Sequence, residues 1–345
     1  MRDEVEERQN PSTRQGNLMK KIGLNARMLA FALAGVLAVA VGGPAGGQAV
    51  VSMQIASGPT IGARTALYGV DAGIFKKYGL DVQVVRAASG GGSPLSGLIG
   101  NSLQADYVNV ISLAQAHVKG INLQIIAPGG MYNTEAPFAL LFVPKDSPIK
   151  SARDLDGKTI CSQSLQDLNA LATLAWIDAN GGDSKTVHDI ELPNSAMLPA
   201  LDAGRVDATA LVPPYQTAAA GSGKYRVLGK PYDGIAKHFA FSGWAATADF
   251  IAQNPDAVRR FAAAMREANL AAKANPVRAD ELVAEFSGID VKTVARSVGS
   301  EDPVYLEPSD LQPAIDASAK YGLIAKSFAA SEIVNPAVEK PAGGK

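Results

Sequence analysis

Past an N-terminal stretch, the chain alternates short apolar runs of period two with longer runs of helical period. From Val50, "VVSMQIAS" reads as a strand, and Ala63, Leu67, Val70 and Ile74 fall on one face of a helix that stops at Gly79. "LDVQVV" is the next strand. "SPLSGLIGN" follows, with Ser93 at the N-cap and Pro94 at the first helical position, where an amide proton is not needed. Strand "DYVNV", helix "LAQAHVK" closed by Gly120, and strand "LQIIA" complete a first series. The second series runs through strand "KTIC", helix "QDLNALATLAWIDAN" closed by Gly181 and Gly182, strand "VHDIEL", helix "MLPALDA" closed by Gly204, and strand "ATALV". Strands separated by amphipathic helices predict mostly parallel sheets covered on both faces.

After "YRVL" the pattern passes through "HFAFSGWAAT" into a long helix from Pro255 to Asn275, with Val258, Phe261 and Met265 on one face. Only helical patterns follow, among them "SDLQPAIDASAKYG" with Ser309 as its N-cap. Two α/β units and a helical end predict two lobes: residues 50–143 with 243–330 in the first, 144–242 in the second, and 331–345 as a C-terminal tail. The chain is expected to cross between lobes at Leu141 to Pro144 and at Ser242 to Trp244.

Composition narrows the picture. With 47% apolar and 19% charged positions over 345 residues, the chain can bury a core in each lobe. Its 32 basic and 33 acidic residues nearly cancel, and no long basic run gives a nucleic acid a footprint. The single cysteine, Cys161, excludes an internal disulfide and a multi-cysteine metal site. Residues 1–49 read as an N-terminal extension and signal peptide. Lys20, Lys21 and Arg27 precede an apolar run from Met28 to Val41, and small Gly47 and Ala49 are spaced like a peptidase site. The run is shorter than the ~20 residues a membrane span needs, so export with cleavage after Ala49 is the expectation. Met19 is a candidate start, and no cysteine follows the run to carry a lipid.

In open α/β sheets, ligands sit beyond the carboxyl ends of the strands, near helix N-termini. The segments predicted there are Ser57 to Thr60, Ser89 to Ser93, Asn109 to Ser112, Ser162 to Gln166 and Pro213 to Gln216; all are polar or Gly-rich and none contains Asp or Glu. Backbone amides and hydroxyls at the positive end of a helix suit an oxyanion, although the same residue types serve as ordinary caps. Arg64 is the candidate cation, because a positive side chain in the first turn of its helix opposes the dipole and gains nothing locally; solvated surface is the competing reading. Tyr132, Tyr215 and Trp244 could stack on a ligand or pack in the core or hinge.

Three stretches, "GIFKKYGLDVQVV" (Gly73 to Val85), "DSPIKSARDLDGKTI" (Asp146 to Ile160) and "ALDAGRVDATALVPPY" (Ala200 to Tyr215), resemble the periplasmic solute-binding proteins of the nitrate, sulfonate and taurine type, related to the thiamine-precursor binding group. The resemblance implies a two-lobe type II periplasmic binding protein-like α/β fold with two crossover segments and C-terminal helices. It implies a monomer that traps a small-molecule solute between its lobes and delivers it to an ABC permease and its ATPase in the inner membrane. By position it carries ligand contacts to Ser57, Thr60, Ser89, Gly90, Asn109, Ser112, Ser162, Gln163, Ser164 and Pro214. One departure stands out: where the family shows Gly three residues before the strand Asp of the first lobe, this chain has Leu103 before Asp106, whereas Gly204 and Asp207 keep the pattern.

No enzymatic motif competes. "SGGGSPLSG" has Leu95 in place of the third glycine of a dinucleotide fingerprint, and neither a phosphate-binding P-loop nor a G-x-S-x-G elbow occurs. His117, His188 and His238 are scattered without metal-ligand spacing, and Cys161 reads as a buried strand thiol, so neither cofactor nor metal is expected. The expected ligand is a small organic anion, a sulfonate or carboxylate. A neutral pyrimidine-like heterocycle, or a ligand-sensing role at a membrane receptor, is the alternative.

Overall fold

The computed structural model describes residues 49–87, 94–213, 215–297 and 302–340. The apolar run Met28 to Val41 and the expected contacts Ser89, Gly90 and Pro214 lie outside them, as does the cap Ser93. In chain order the first series is β1 (Val51–Ser57), α1 (Arg64–Asp71), α2 (Ile74–Lys77), β2 (Leu80–Arg86), α3 (Pro94–Ile99), β3 (Ala105–Asn109), α4 (Val110–Val118) and β4 (Leu123–Pro128). The helix expected up to Gly79 breaks at Gly73, whose φ of 67° takes the left-handed turn that glycine adopts without strain. A short strand β5 (Met131–Asn133) leads to the second series: β6 (Leu140–Pro144), β7 (Thr159–Ser162), α5 (Leu168–Ala179), β8 (His188–Glu191), α6 (Asn194–Asp202), β9 (Ala208–Leu211), α7 (Tyr215–Gly221) and β10 (Tyr225–Gly229). The chain returns through β11 (His238–Ala240) and β12 (Ser242–Thr247) to α8 (Ala248–Gln253), α9 (Pro255–Ala274), α10 (Pro276–Ser287), α11 (Val291–Arg296) and α12 (Pro308–Lys320).

Two five-stranded sheets result, ordered β2-β1-β3-β12-β4 and β8-β7-β9-β6-β10. In each, three strands run parallel and the fourth is antiparallel to both of its neighbours. The fourth strands are exchanged: β12, late in the chain, completes the first sheet, while β6 belongs to the second. Leu141 to Pro144 and Ser242 to Trp244 therefore lie inside the sheets rather than between them. The segments between the sheets are β5 and β11, which pair antiparallel as a ribbon of their own, Met131 opposite Ala240 and Asn133 opposite His238. Tyr132, Tyr232, Phe239 and Phe241 are buried around this ribbon with ring centroids 5.2–5.9 Å apart. Such aromatic pairs add to the burial of their own area.

Apolar side chains fill both faces of each sheet. On the first, Leu98, Val108 and Ile111 pack on one side and Met53, Trp244 and Phe261 on the other. On the second, Ile160 and Ile177 oppose Phe142 and Leu201. The residues expected as a tail are built in: Ile125 of β4 donates its N–H to Ile333 O (2.8 Å) and accepts from Asn335 N–H (3.0 Å), which covers that sheet edge, and Ile333 is fully buried. The last long helix is capped at Glu307 rather than Ser309. Pro308 takes the first helical position and Asp310 accepts from the Glu307 N–H (2.9 Å), closing the turn from inside the helix.

The departure at Leu103 also resolves. Asn101 (φ 57°), not Gly100, is the left-handed residue after α3, as Gly204 (φ 64°) is after α6. Three residues on, Gln104 donates its N–H to Gln54 O (2.8 Å) and accepts from Gln54 N–H through Oε1 (2.7 Å). Asp207 does the same to Thr159, at 2.7 and 2.9 Å. The counterpart of Gly204 and Asp207 is thus Asn101 and Gln104, and Asp106 is a separate feature of β3.

Candidate functional site

Thr60 ends the loop after β1 and caps the short turn Ile61–Ala63, accepting the Gly62 N–H at 3.3 Å. Gly62 then lies against the ring of Tyr107 on β3, and a Cβ there would sit 2.6 Å from the ring, so only glycine allows this approach. Tyr107 also meets Trp244 edge to face at 5.5 Å. Its phenol oxygen accepts from Ser242 Oγ (2.7 Å), which in turn accepts the Gly130 N–H (2.8 Å). Beside Tyr107, Phe241 stacks on Phe138 with centroids 5.2 Å apart. Val212 and Pro213, just after β9 of the second sheet, and Ile289, Val294 and Ser297 around α11 complete the wall. With Thr60, Gly62, Tyr107, Phe138 and Phe241 they enclose a cavity of about 120 Å³, close to the ~150 Å³ apolar cavity known to hold benzene. None of its described lining residues is Lys, Arg, His, Asp or Glu.

Of the expected contacts that lie among the described residues, only Thr60 lines this cavity. Ser57 is fully buried at the end of β1, where its hydroxyl donates to Gly58 O (3.2 Å). Asn109 caps α4 by accepting from Ser112 N–H (2.8 Å), so both act locally as helix-start residues. Arg64 pairs with Asp280 and lines a different cavity of about 400 Å³ with Asn269, Lys273 and Asp302. Its charge is committed to a carboxylate from α10, which the local dipole argument could not foresee. Burial pushes Asp302 up to about 6, with Arg64 and Lys273 opposing the rise. Trp244 and Tyr132 are buried in the core, and Tyr132 donates to Asp233 Oδ1 (2.8 Å). Burial would raise Asp233, but Lys237, Tyr132 and Thr134 together hold it below the usual carboxylate range. Tyr215 opens α7 and packs partly buried against the second sheet's core.

The segment Ser162 to Gln166 contains no acid, yet acids from neighbouring elements occupy its donors. Ser162 Oγ donates to Asp189 (2.8 Å), Leu165 N–H to Glu191 (3.0 Å), and Asp167 caps α5 through Ala170 N–H (2.9 Å). Gln163 accepts from Asn194 (3.0 Å), and Ser164 from Gln166 N–H (3.4 Å). Burial lifts Asp167 to about 6, with Glu191 adding to the rise, and lifts Asp189 to about 6, with Asp167 and Glu191 adding. Donors satisfied by the protein's own carboxylates do not offer an oxyanion site. Among the described residues no group of three or more His, Cys, Asp or Glu side chains is arranged to hold a metal ion.

Gly62, Tyr107, Phe138, Val212 and Phe241 were not singled out from sequence. Tyr107 shares a strand face with Asn109, two residues on, and that alternation is the signal that could have found it.

The two exchanged sheets define the class: the fold of the periplasmic binding proteins. The chain matches the NMT1/THI5 like family model over residues 65–279 and belongs to that family. The periplasmic aliphatic sulphonate binding protein SsuA from Escherichia coli is similar at a TM-score of 0.69 and 19% identity, over 82% of this chain and 97% of that one. The periplasmic nitrate-binding protein NrtA from Synechocystis PCC 6803 follows at 0.66 and 14%, over 84% and 86%. The desulfurization enzyme DSZB is similar at 0.60 and 16%, over 83% and 96%. The chain matches no curated protein. One fold thus serves binders and an enzyme, and function must be argued from the site.

Proposed function

We propose that this protein is the extracytoplasmic solute-binding component of an ABC importer, which holds a small molecule between its two sheets and presents it to a membrane permease and its ATPase. The observation that carries the reading is a cavity whose wall joins Tyr107 on β3 and Thr60 just after β1 to Val212 and Pro213 just after β9. A solute there touches both sheets, and closure about the β5–β11 ribbon would exclude water from it. The signal-like run Met28 to Val41 and the periplasmic proteins that share the fold support this location. The protein acts as a monomer that binds without chemistry.

The lining favours an uncharged, ring-sized solute, in line with a pyrimidine-like heterocycle, over the sulfonate or carboxylate the sequence suggested. A buried anion needs a paired cation, and the described lining offers none. The internal segments 88–93, 214 and 298–301 contain no Lys, Arg or His either. A thermal-shift screen of the full chain against neutral single-ring compounds, aryl and alkyl sulfonates, carboxylates and inorganic anions tests this. A ligand at 100 times its Kd adds about 2.7 kcal/mol, a shift of a few degrees at this size. Neutral rings are expected to shift the transition. A response confined to the anions overturns the ligand class.

A further inference from the structure

The polar chain beneath the cavity has one hydroxyl proton more than it has hydroxyl–hydroxyl links to use it. Gly130 N–H can only donate, and it donates to Ser242 Oγ (2.8 Å); Ser242 and Tyr107 then share a hydrogen bond of 2.7 Å. Two hydroxyl protons remain for that single link, so one of them must leave the chain. Ser242 is 2% exposed, and its hydroxyl has no other hydrogen-bond acceptor among the described residues. Its proton therefore goes to Tyr107, and the surplus proton is the one on the Tyr107 phenol, the only member of the three that lines the cavity.

We propose that Tyr107 is the ligand's specificity-determining contact, with its phenol O–H acting as a fixed donor toward a hydrogen-bond acceptor on an otherwise apolar ring-sized solute. The inference rests on the reading that this cavity binds the solute. Three features hold the donor in place: the Trp244 edge contact, the Gly62 backbone over the ring, and Ser242 behind the oxygen. Burial pushes the phenol further up from its ordinary value, so it keeps its proton at any working pH. Ser242 opens β12 and Gly130 directly precedes β5. The donor is thereby oriented from the two places where the chain enters and leaves the crossing ribbon. A donor held without reorganisation discriminates well, because an analogue lacking the acceptor strands it in an apolar wall.

The test uses the full chain with two near-isosteric probes, benzonitrile, which carries an acceptor, and phenylacetylene, which does not accept at that position. Wild type is expected to bind benzonitrile more tightly. Tyr107→Phe is expected to weaken benzonitrile about three- to tenfold and leave phenylacetylene unchanged. The infrared nitrile band of bound benzonitrile should sit at its hydrogen-bonded position in wild type and move to its free position in the variant. The wild-type band is a test that needs no variant, so it decides even if Tyr107→Phe fails to fold: a free nitrile overturns the proposal. Binding of both probes with the same ratio in Tyr107→Phe also overturns it while leaving the cavity reading intact. Binding of neither probe to wild type overturns the cavity reading and the proposal together.

Discussion

The two sheets share a strand order and a turn, but they build the turn from different residues. After α6, Gly204 takes the left-handed position and Asp207 ties its strand to Thr159 of β7; after α3, Asn101 and Gln104 do the same to Gln54 of β1. What the two turns share is therefore a geometry, a positive φ followed three residues later by a side chain that accepts from a backbone N–H. Asn tolerates the left-handed region better than other non-glycine residues, and a Gln carboxamide can accept as a carboxylate does. With the turns aligned, Asp106 occupies the place of Thr209: Asp106 lies opposite Ala56 of β1, and Thr209 opposite Cys161 of β7. Here the sheets part. Thr209 is satisfied, accepting from Cys161 Sγ (3.2 Å) and donating to Cys161 O (3.4 Å). Asp106 is fully buried, and neither of its carboxylate oxygens has a hydrogen-bond partner among the described residues.

That contrast yields the largest expected effect. Burial pushes Asp106 up to about 7, and the nearby Tyr107 amide offsets the rise only in part. In the unfolded chain the carboxyl titrates near its ordinary value of about 4. The folded state thus holds a proton that the unfolded state releases between these values. Stability is full below pH 4, falls as pH rises through the window, and levels off above pH 7. At about 1.4 kcal/mol per pH unit the loss is on the order of 4 kcal/mol. Asp106→Asn removes the titration while keeping the shape. Urea unfolding at pH 4, 6 and 8 should show wild type losing ground to the variant by roughly that amount. Parallel stability curves for the two proteins would mean that the carboxyl has a partner when ionised.

The same contrast shows what the sequence could and could not carry. Strand and helix periods were legible because each element has one apolar face, as on α9, where Val258, Phe261 and Met265 are buried together. The crossing was misplaced because β6 and β12 are nearly continuous apolar runs, which read alike in a sheet or between sheets; only pairing distinguishes them. The site was less legible still. Polar loops at strand ends signalled caps as strongly as ligand contacts, and in the structure Asn109 is a cap while the Ser162 hydroxyl is taken by Asp189 of β8. Arg64 looked uncompensated because Asp280 lies 216 residues away in the chain. The cavity wall is mostly apolar, and Phe241 or Val212 has no local pattern that separates it from core.

The next effect compares the two amide acceptors. Asp207 accepts the Thr159 N–H with a carboxylate, and Gln104 accepts the Gln54 N–H with a neutral amide. A hydrogen bond to a charged group contributes ~1.5–3 kcal/mol where a neutral one contributes ~1. Asp207→Ala should therefore lower unfolding stability by about 2 kcal/mol and Gln104→Ala by about 1 kcal/mol, measured by urea denaturation. Asp207→Asn should bring the second sheet's loss close to that of the first. Equal losses for the two alanine variants would show that the charge adds nothing at this turn.

The smallest effect lies at the left-handed residues themselves. At Gly204, φ 64°, no atom of the described residues comes within 4 Å of where a Cβ would stand, so what opposes a side chain is the backbone conformation. Gly204→Ala should cost about 1 kcal/mol, because a Cβ in this region meets its own carbonyl. Asn101 already bears part of that cost. Asn101→Gly removes the strain in the folded state but gives the unfolded chain more freedom, two terms of similar size and opposite sign. The net change should stay within about 0.5 kcal/mol. If Asn101→Gly instead destabilises by as much as Gly204→Ala, the Asn side chain must make a contact of its own, and the two turns would be alike in backbone only.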